Sequence, residues 1–200
     1  MIQHTGQQRP GGRTARTTDA VHAAARELLE ERGSRGVQVS DIASRSGVNA
    51  TTIYRRWGSI DALLLEVAIA DLNQHRPVLS TGDLRSDLLA YAHQARAGVE
   101  APGGLGFLHA IIAAAADPIL GASGTTALMQ GRLEQFQVLL DRAGREIALT
   151  PIDVVDGLLA PIYLRALLSQ PSTLNDHDLI RFVDNLLAVD EHRRRVRGPA

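Results

Sequence analysis

The 200-residue chain has no cysteine and no lysine, so all 21 of its basic residues are arginine. Without cysteine there is no disulfide, no thiolate metal site and no cysteine nucleophile. The missing lysine is a compositional bias to which no mechanism is attached. Long apolar runs are also absent. The longest, Leu105 to Ala116, is interrupted by His109 and stops at Asp117, well short of the roughly 20 residues that span a bilayer. The first residues lack the positive, apolar and small-residue zones of a signal peptide. A soluble cytoplasmic protein without a membrane partner is expected.

Catalytic patterns are lacking too. His4, His22, His75, His93, His109, His177 and His192 are scattered, with no i, i+4 pair and no HExxH, so no metal site is expected. Gly103-Gly104-Leu105-Gly106 follows no strand and lacks the dinucleotide fingerprint. Ser123, between Gly121 and Gly124, lacks the nucleophile-elbow context. No enzyme activity and no cofactor are expected.

What is present is apolar and helical. Hydrophobic residues make up 44% of the chain, enough for a substantial core, and strand-like alternation is hard to find. The net charge of −1 hides an asymmetry. Residues 1–58 hold nine Arg against five acids, a net of +4, while 59–200 hold twelve Arg against seventeen acids, a net of −5. A positive segment is what phosphate contact and counterion release require.

The most specific stretch lies in that positive segment. Val39 to Ser59, VSDIASRSGVNATTIYRRWGS, reads as a short helix, a glycine-marked turn and a second short helix. Ile42 and Ala43 face inward, and Ala43 is small where two helices approach. Gly47 suits the left-handed conformation that ends the first helix. Val48 is an apolar pin in the turn, and Asn49 caps the second helix. Ile53 and Trp57 are four apart on one face, which is core spacing. The other face carries Ala50, Thr51, Thr52, Tyr54, Arg55 and Arg56, residue types used on base edges and phosphates. Ser59 then caps a further helix, with Asp61 near its positive end. This is the layout of a helix-turn-helix whose second helix enters the major groove.

The stretch resembles the DNA-binding domain of the TetR (tetracycline-repressor-like) family. The matching residues are Asp41-Ile42-Ala43, Gly47-Val48, Thr52-Ile53-Tyr54-Arg55-Arg56-Trp57 and Ala62-Leu63-Leu64. A preceding helix fits as well. It has Thr17 or Thr18 as cap, Val21, Ala24, Ala25, Leu28 and Leu29 at i, i+3, i+4, i+7 and i+8, and an end at Gly33. Two positions depart from the family pattern. Ile60 stands where a phosphate-reaching Lys is common, and Gln38 stands where Thr is common, leaving Ser40 as the expected cap. Ser40, Asn49, Ala50, Thr51, Thr52, Tyr54, Arg55 and Arg56 are the expected DNA contacts.

The resemblance implies an all-α fold of about nine helices. Its divisions are a basic arm at 1–16, a helix-turn-helix domain at 17–62, a ligand-binding and dimerisation domain at 63–190 and a tail at 191–200. The arm reads either as a disordered tail or as a segment tracking phosphates or the minor groove. Further helices are expected from Ser59 to about His75, at 84–99, 105–116, 125–147, 151–169 and 175–189, punctuated by Pro77, Pro102-Gly103-Gly104, Pro118, Gly121–Gly124, Pro151 and Pro171.

The last two helices carry apolar stripes: Val155, Leu158, Leu159, Ile162 and Ala166 on one, Leu179, Phe182, Val183 and Leu186 on the other. Each stripe serves in part as intramolecular core. The first helix is apolar on other faces too, through Val154, Ala160 and Leu168, which asks for more than one neighbour. In the family these two helices form a four-helix dimer interface, and a C2 dimer presents two recognition helices to a near-palindromic operator. The family also implies a pocket. Phe107, His109, Ile112, Met129, Leu133, Phe136, Gln137 and Tyr163 are the lining candidates, with ordinary core packing as the alternative. Such a pocket suits a lipophilic small molecule.

The function implied is a homodimeric repressor released from its operator by that effector. The rivals are an activator or ligand-independent regulator of the same fold, a helical interaction module without DNA, and a helical enzyme.

Overall fold

The computed structural model describes residues 12–33, 36–75, 78, 81–116, 120–143, 147–168 and 173–197, with backbone alone at 12, 13, 72–75 and 120–129. Among these there are nine helices and no strand. They are α1 Gly12–Arg32, α2 Val39–Ser46, α3 Ala50–Trp57, α4 Ile60–His75, α5 Leu84–Glu100, α6 Gly104–Ala116 and α7 Leu120–Arg142. Pro151–Val154, Val155–Leu159 and Ala160–Leu168 run on as α8, its middle stretch a π-turn, and Asp176–Arg197 is α9. No single helix among them is long and apolar enough to cross a membrane.

Two cores organise the chain. The first joins α1–α4 around Val21, Leu28, Ile42, Ile53 and Leu63, and also takes Phe107 and Ala110 from α6. The second joins α5, α7, α8 and α9 around Leu88, Phe136, Leu158, Ile162 and Leu179. Helix α4 bridges the two halves. Leu63, Leu64 and Leu65 are all buried, as are Val67 and Ala68. Three consecutive buried side chains cover most of a helix's circumference, so α4 needs neighbours on several sides. It has them in α1, α3, α6 and α7.

A second bridge is made by backbone. The turn between α5 and α6 presses Gly103 (φ +74°) onto α1, so close that a Cβ there would lie 2.4 Å from the Cα of Glu30. Only glycine allows both that approach and that φ.

Several element boundaries differ from those expected. Helix α1 begins at Gly12, so neither Thr17 nor Thr18 caps it; Thr18 Oγ1 donates back to the carbonyl of Thr14 at 2.9 Å, inside the helix. Residues 12–16 of the expected arm are therefore helical, and 1–11 lie outside the described residues. Helix α7 starts at Leu120, running through the Gly121–Gly124 stretch expected to be a loop, and stops at Arg142 rather than near Ile147. Helical glycine costs about 1 kcal/mol per position, a weak preference that packing of α7 on α6 and α8 overrides.

Helix α9 continues to Arg197, so the expected tail from 191 is helix over most of its length. Several of its charges have partners. Asp190, 1% exposed, accepts from the Ala148 N–H at 2.7 Å. Arg193 donates to both carboxylate oxygens of Asp153, at 2.6 and 2.9 Å, and to the Ala148 carbonyl at 3.3 Å. Arg195 pairs with Glu191 one turn back at 2.6 Å. The end of α9 thus clasps the extended segment before α8.

The clasp carries a pH dependence. The Arg193 guanidinium, helped by Thr150 N–H and hydroxyl, holds the Asp153 carboxyl at about 2 against an ordinary 3.8. Because the folded value lies below the unfolded one, the stabilisation is present above pH 3.8 and disappears as pH falls towards 2. Discounted for the solvent around Arg193, Asp153→Asn is expected to cost about 1–2 kcal/mol at neutral pH. Urea titrations of the two proteins are expected to converge as the pH approaches 2.

Candidate nucleic-acid interface

The start of α2 is closed by a carboxylate. The Gln38 N–H donates to Asp41 Oδ2 at 3.1 Å, half of a capping box with Gln38 in the cap position. Ser40 is therefore not the cap; it is an exposed residue of the first helical turn. A side-chain acceptor three residues after Gln38 was the signal for this start.

The turn follows its residue types. Gly47 has φ +69° and closes α2 in the left-handed conformation. Ser46 Oγ accepts from the Val48 N–H at 3.2 Å, and Val48 and Ala43 pack against the first core. Asn49 Oδ1 accepts from the Thr51 N–H at 2.8 Å, capping α3. Ser59 Oγ accepts from the Ala62 N–H at 3.1 Å at the start of α4. Ile60, at the position where the family often has Lys, leans on the first core.

Helix α3 is held by its inner face. Ile53 is 1% exposed and Trp57 9%. The Trp57 indole N–H donates to Glu66 Oε2 on α4 at 2.9 Å, and the other carboxylate oxygen lies 3.0 Å from His22 Nε2 on α1. On the outer face Tyr54 is 55% exposed; Asn49, Thr51, Arg55 and Arg56 are exposed, and Ala50 and Thr52 half-buried. The Arg56 guanidinium carbon lies over the Trp57 ring, 5.0 Å from its centroid.

Three other cations of this domain are committed to carboxylates. Arg45 makes two hydrogen bonds to Glu31, at 2.7 and 3.0 Å, which push the Arg45 pKa up and the Glu31 pKa down. Arg32 lies 3.6 Å from Asp41, and Arg26 3.7 Å from Asp71. Among the described residues no carboxylate pairs with Arg55 or Arg56. The arrangement presents hydroxyls, a phenol and two guanidiniums on a rigid helix, the donor set that phosphates and base edges accept.

The expected pocket residues do not converge. Phe107 is buried in the first core with α1 and α4, whereas Phe136 is buried in the second, edge-on to Tyr91 with ring centroids 5.1 Å apart. Ile112 is 45% exposed, and Gln137 is exposed with its amide on Asp141. His109, Leu133 and Tyr163 are half-buried, and the Met129 side chain lies outside the described residues. A helical apolar period shows which side chains are inward but not which core they enter. A cleft of about 360 Å³ lies instead at the junction of α1, α4 and the α5–α6 turn, lined by Arg26, Glu30, Asp71, Pro102 and Phe107.

The expected dimer stripe also needs correction. Leu158, Leu159, Ile162, Ala166, Leu179, Phe182, Val183 and Leu186 are buried in the chain's own second core, and Val155 is half-buried against it. The reason is that α8 and α9 pack on α5, with α8 also against α7, which consumes the regular stripe of each. Leu164 (57% exposed), Leu168 (77%) and Ile180 (36%) are among the outward apolar side chains of the same helices.

A helix-turn-helix domain packed against a larger helical domain is the architecture of a DNA-binding regulator. Residues 22–67 match the family described as bacterial regulatory proteins, tetR family, and 78–186 match the tetracyclin repressor-like C-terminal domain. The chain belongs to the TetR family of transcriptional regulators. It is 28% identical over 140 residues to the HTH-type transcriptional regulator AqdR of Rhodococcus erythropolis, covering 70% of this chain and 67% of AqdR. It is 27% identical over 157 residues to the HTH-type regulator YdeS of Bacillus subtilis, covering 76% and 79%. The crystal structure of the TetR-family regulator SCO0332 superposes with a TM-score of 0.71 at 25% identity, covering 86% of this chain and 97% of that one. A TetR regulator from Rhodococcus sp. RHA1 shares the fold, with a TM-score of 0.66, 18% identity and coverage of 88% and 97%.

Proposed function

We propose that this regulator is a homodimeric repressor of the cytoplasm that holds a near-palindromic operator with two copies of α3 and leaves it when a small, lipophilic effector binds. The observation that carries the DNA contact is the outer face of α3. Tyr54, Arg55 and Arg56 stand exposed there, without carboxylate partners among the described residues, on a helix anchored by Ile53 and Trp57. Thr51, Thr52 and Tyr54 approach bases and phosphates, Arg55 and Arg56 add phosphate or guanine contacts, and Asn49 and Ala50 lie at the helix start nearest the duplex. Ser40 contributes at most a backbone-side contact from the first turn of α2.

Dimerisation is supported by the outward Leu164, Leu168 and Ile180 on α8 and α9, large apolar side chains that a symmetry mate would cover. Effector release is supported by α4, which touches both α3 and the helices of the larger domain. A ligand moves the DNA equilibrium only by preferring the DNA-incompetent state, at about 1.4 kcal/mol for each tenfold loss of DNA affinity. Sedimentation tests the dimer. The native chain is expected at twice its monomer mass, and Leu164→Glu with Leu168→Glu at monomer mass with its helical content intact. A native chain that sediments as a monomer at tens of micromolar overturns the dimer.

A further inference from the structure

The carboxylate of Glu66 joins three helices of the DNA-binding domain, and this contact is not accounted for by the outer face of α3. Its Oε2 accepts from the Trp57 indole N–H at 2.9 Å, and its Oε1 lies 3.0 Å from His22 Nε2. The His22 and Trp57 rings are 6.1 Å apart, so the three side chains form one cluster. Trp57 is the last residue of α3, Glu66 is on α4 and His22 is on α1. A buried indole N–H needs an acceptor, and here that acceptor decides which way the ring faces. The ring in turn carries the Arg56 guanidinium on its face at 5.0 Å. Among the described residues no carboxylate takes the N–H groups of that guanidinium, which leaves them for a phosphate.

We propose that Glu66 is a positioning residue for DNA binding: by pinning the Trp57 indole it pre-organises Arg56 for the duplex. The inference rests on the reading of α3 as the recognition helix. Long cationic side chains lose rotamer freedom when they bind, and an arginine already held on a ring loses less. The carboxylate itself is a net negative charge, 47% exposed, on the domain that meets phosphates. Removing a negative charge by electrostatics alone tightens DNA binding. Positioning predicts the opposite for a residue that cannot accept the indole N–H. The sign of the effect therefore separates the two.

The test uses full-length Glu66→Ala, Glu66→Gln and Trp57→Phe, with an operator duplex and the indole N–H resonance of Trp57. That resonance is unambiguous because the chain has one tryptophan. Glu66→Ala is expected to shift it and to weaken operator binding by about tenfold, since the dimer loses two positioned arginines. Glu66→Gln keeps an amide oxygen for the indole and is expected to restore affinity to the native level or slightly above. Trp57→Phe, which keeps a ring and loses the N–H, is expected to resemble Glu66→Ala. Adding Arg56→Ala to Glu66→Ala is expected to cost less than Arg56→Ala costs alone. Unchanged or tighter binding by Glu66→Ala, with the indole resonance shifted, overturns the positioning role while leaving the DNA reading in place. If the native chain itself selects no operator, the recognition-helix reading has failed instead. If Glu66→Ala does not fold, the Gln and Phe variants decide, and equal affinity for both overturns the proposal.

Discussion

Tyr54→Ala combined with Arg55→Ala is expected to weaken operator binding by at least 100-fold while leaving the melting temperature within about 2 °C of native. Both side chains stand outward on α3, Tyr54 55% exposed, and neither belongs to the first core. Their removal therefore costs little folding energy. A hydrogen bond to a base or phosphate is worth about 1–3 kcal/mol, and each substitution acts twice in a dimer. Four DNA-facing side chains are truncated in all, so 100-fold, about 2.7 kcal/mol, is a conservative figure. Arg55→Ala alone is expected to lower the slope of log affinity against log salt by about one for each phosphate the guanidinium no longer neutralises. Fluorescence anisotropy with a labelled duplex at several salt concentrations measures both quantities.

Gly103→Ala is expected to be among the most destabilising single-methyl changes in the chain, at about 3 kcal/mol or more. The added carbon would lie 2.4 Å from Glu30 Cα, 2.8 Å from Glu30 N and 2.9 Å from the Leu29 carbonyl, all backbone of α1. Helix backbone cannot step aside as a flexible side chain does, so α1 and the α5–α6 turn must separate. The φ of +74° adds the cost of a left-handed alanine, about 1 kcal/mol. Gly131→Ala is the control, because a Cβ on that α7 residue meets nothing within 4 Å. Thermal unfolding is expected to separate the two by roughly 10 °C in a chain of this size.

The helix-turn-helix was legible because each of its residues obeys a local rule. Gly47 needs a left-handed φ, Asn49 has a free acceptor, and Ile53 and Trp57 repeat at core spacing; those rules act within a single helical turn of chain. Gly103 and Glu30 meet from distant parts of the chain, and nothing local distinguishes that glycine from one that merely breaks a helix. The pocket residues diverge for the same reason. Phe107 and Phe136 look alike as inward aromatics, but α6 inserts one into the α1–α4 core while α7 carries the other to Tyr91. The α8 and α9 stripes identified buried positions correctly as apolar, yet the interior of one chain took them, leaving irregular residues such as Leu164 and Leu168 outside. Arg193 looked like part of a solvated run because its partners, Asp153 and the Ala148 carbonyl, come from a distant part of the chain. Glu66 escaped notice although Trp57 announced the need for an acceptor; the acceptor sits nine residues away on the next helix.

The measurement that bears most directly on the regulator reading is selection of duplexes from a random DNA pool by the purified protein, carried out at low and at high salt. An enriched inverted repeat is expected at both, with half-sites about one helical turn or a little more apart, and loss of that enrichment in the Tyr54→Ala, Arg55→Ala protein. Binding that is strong at low salt, vanishes at high salt and enriches no sequence would contradict that reading, and would leave α2 and α3 as the scaffold of a protein-interaction module.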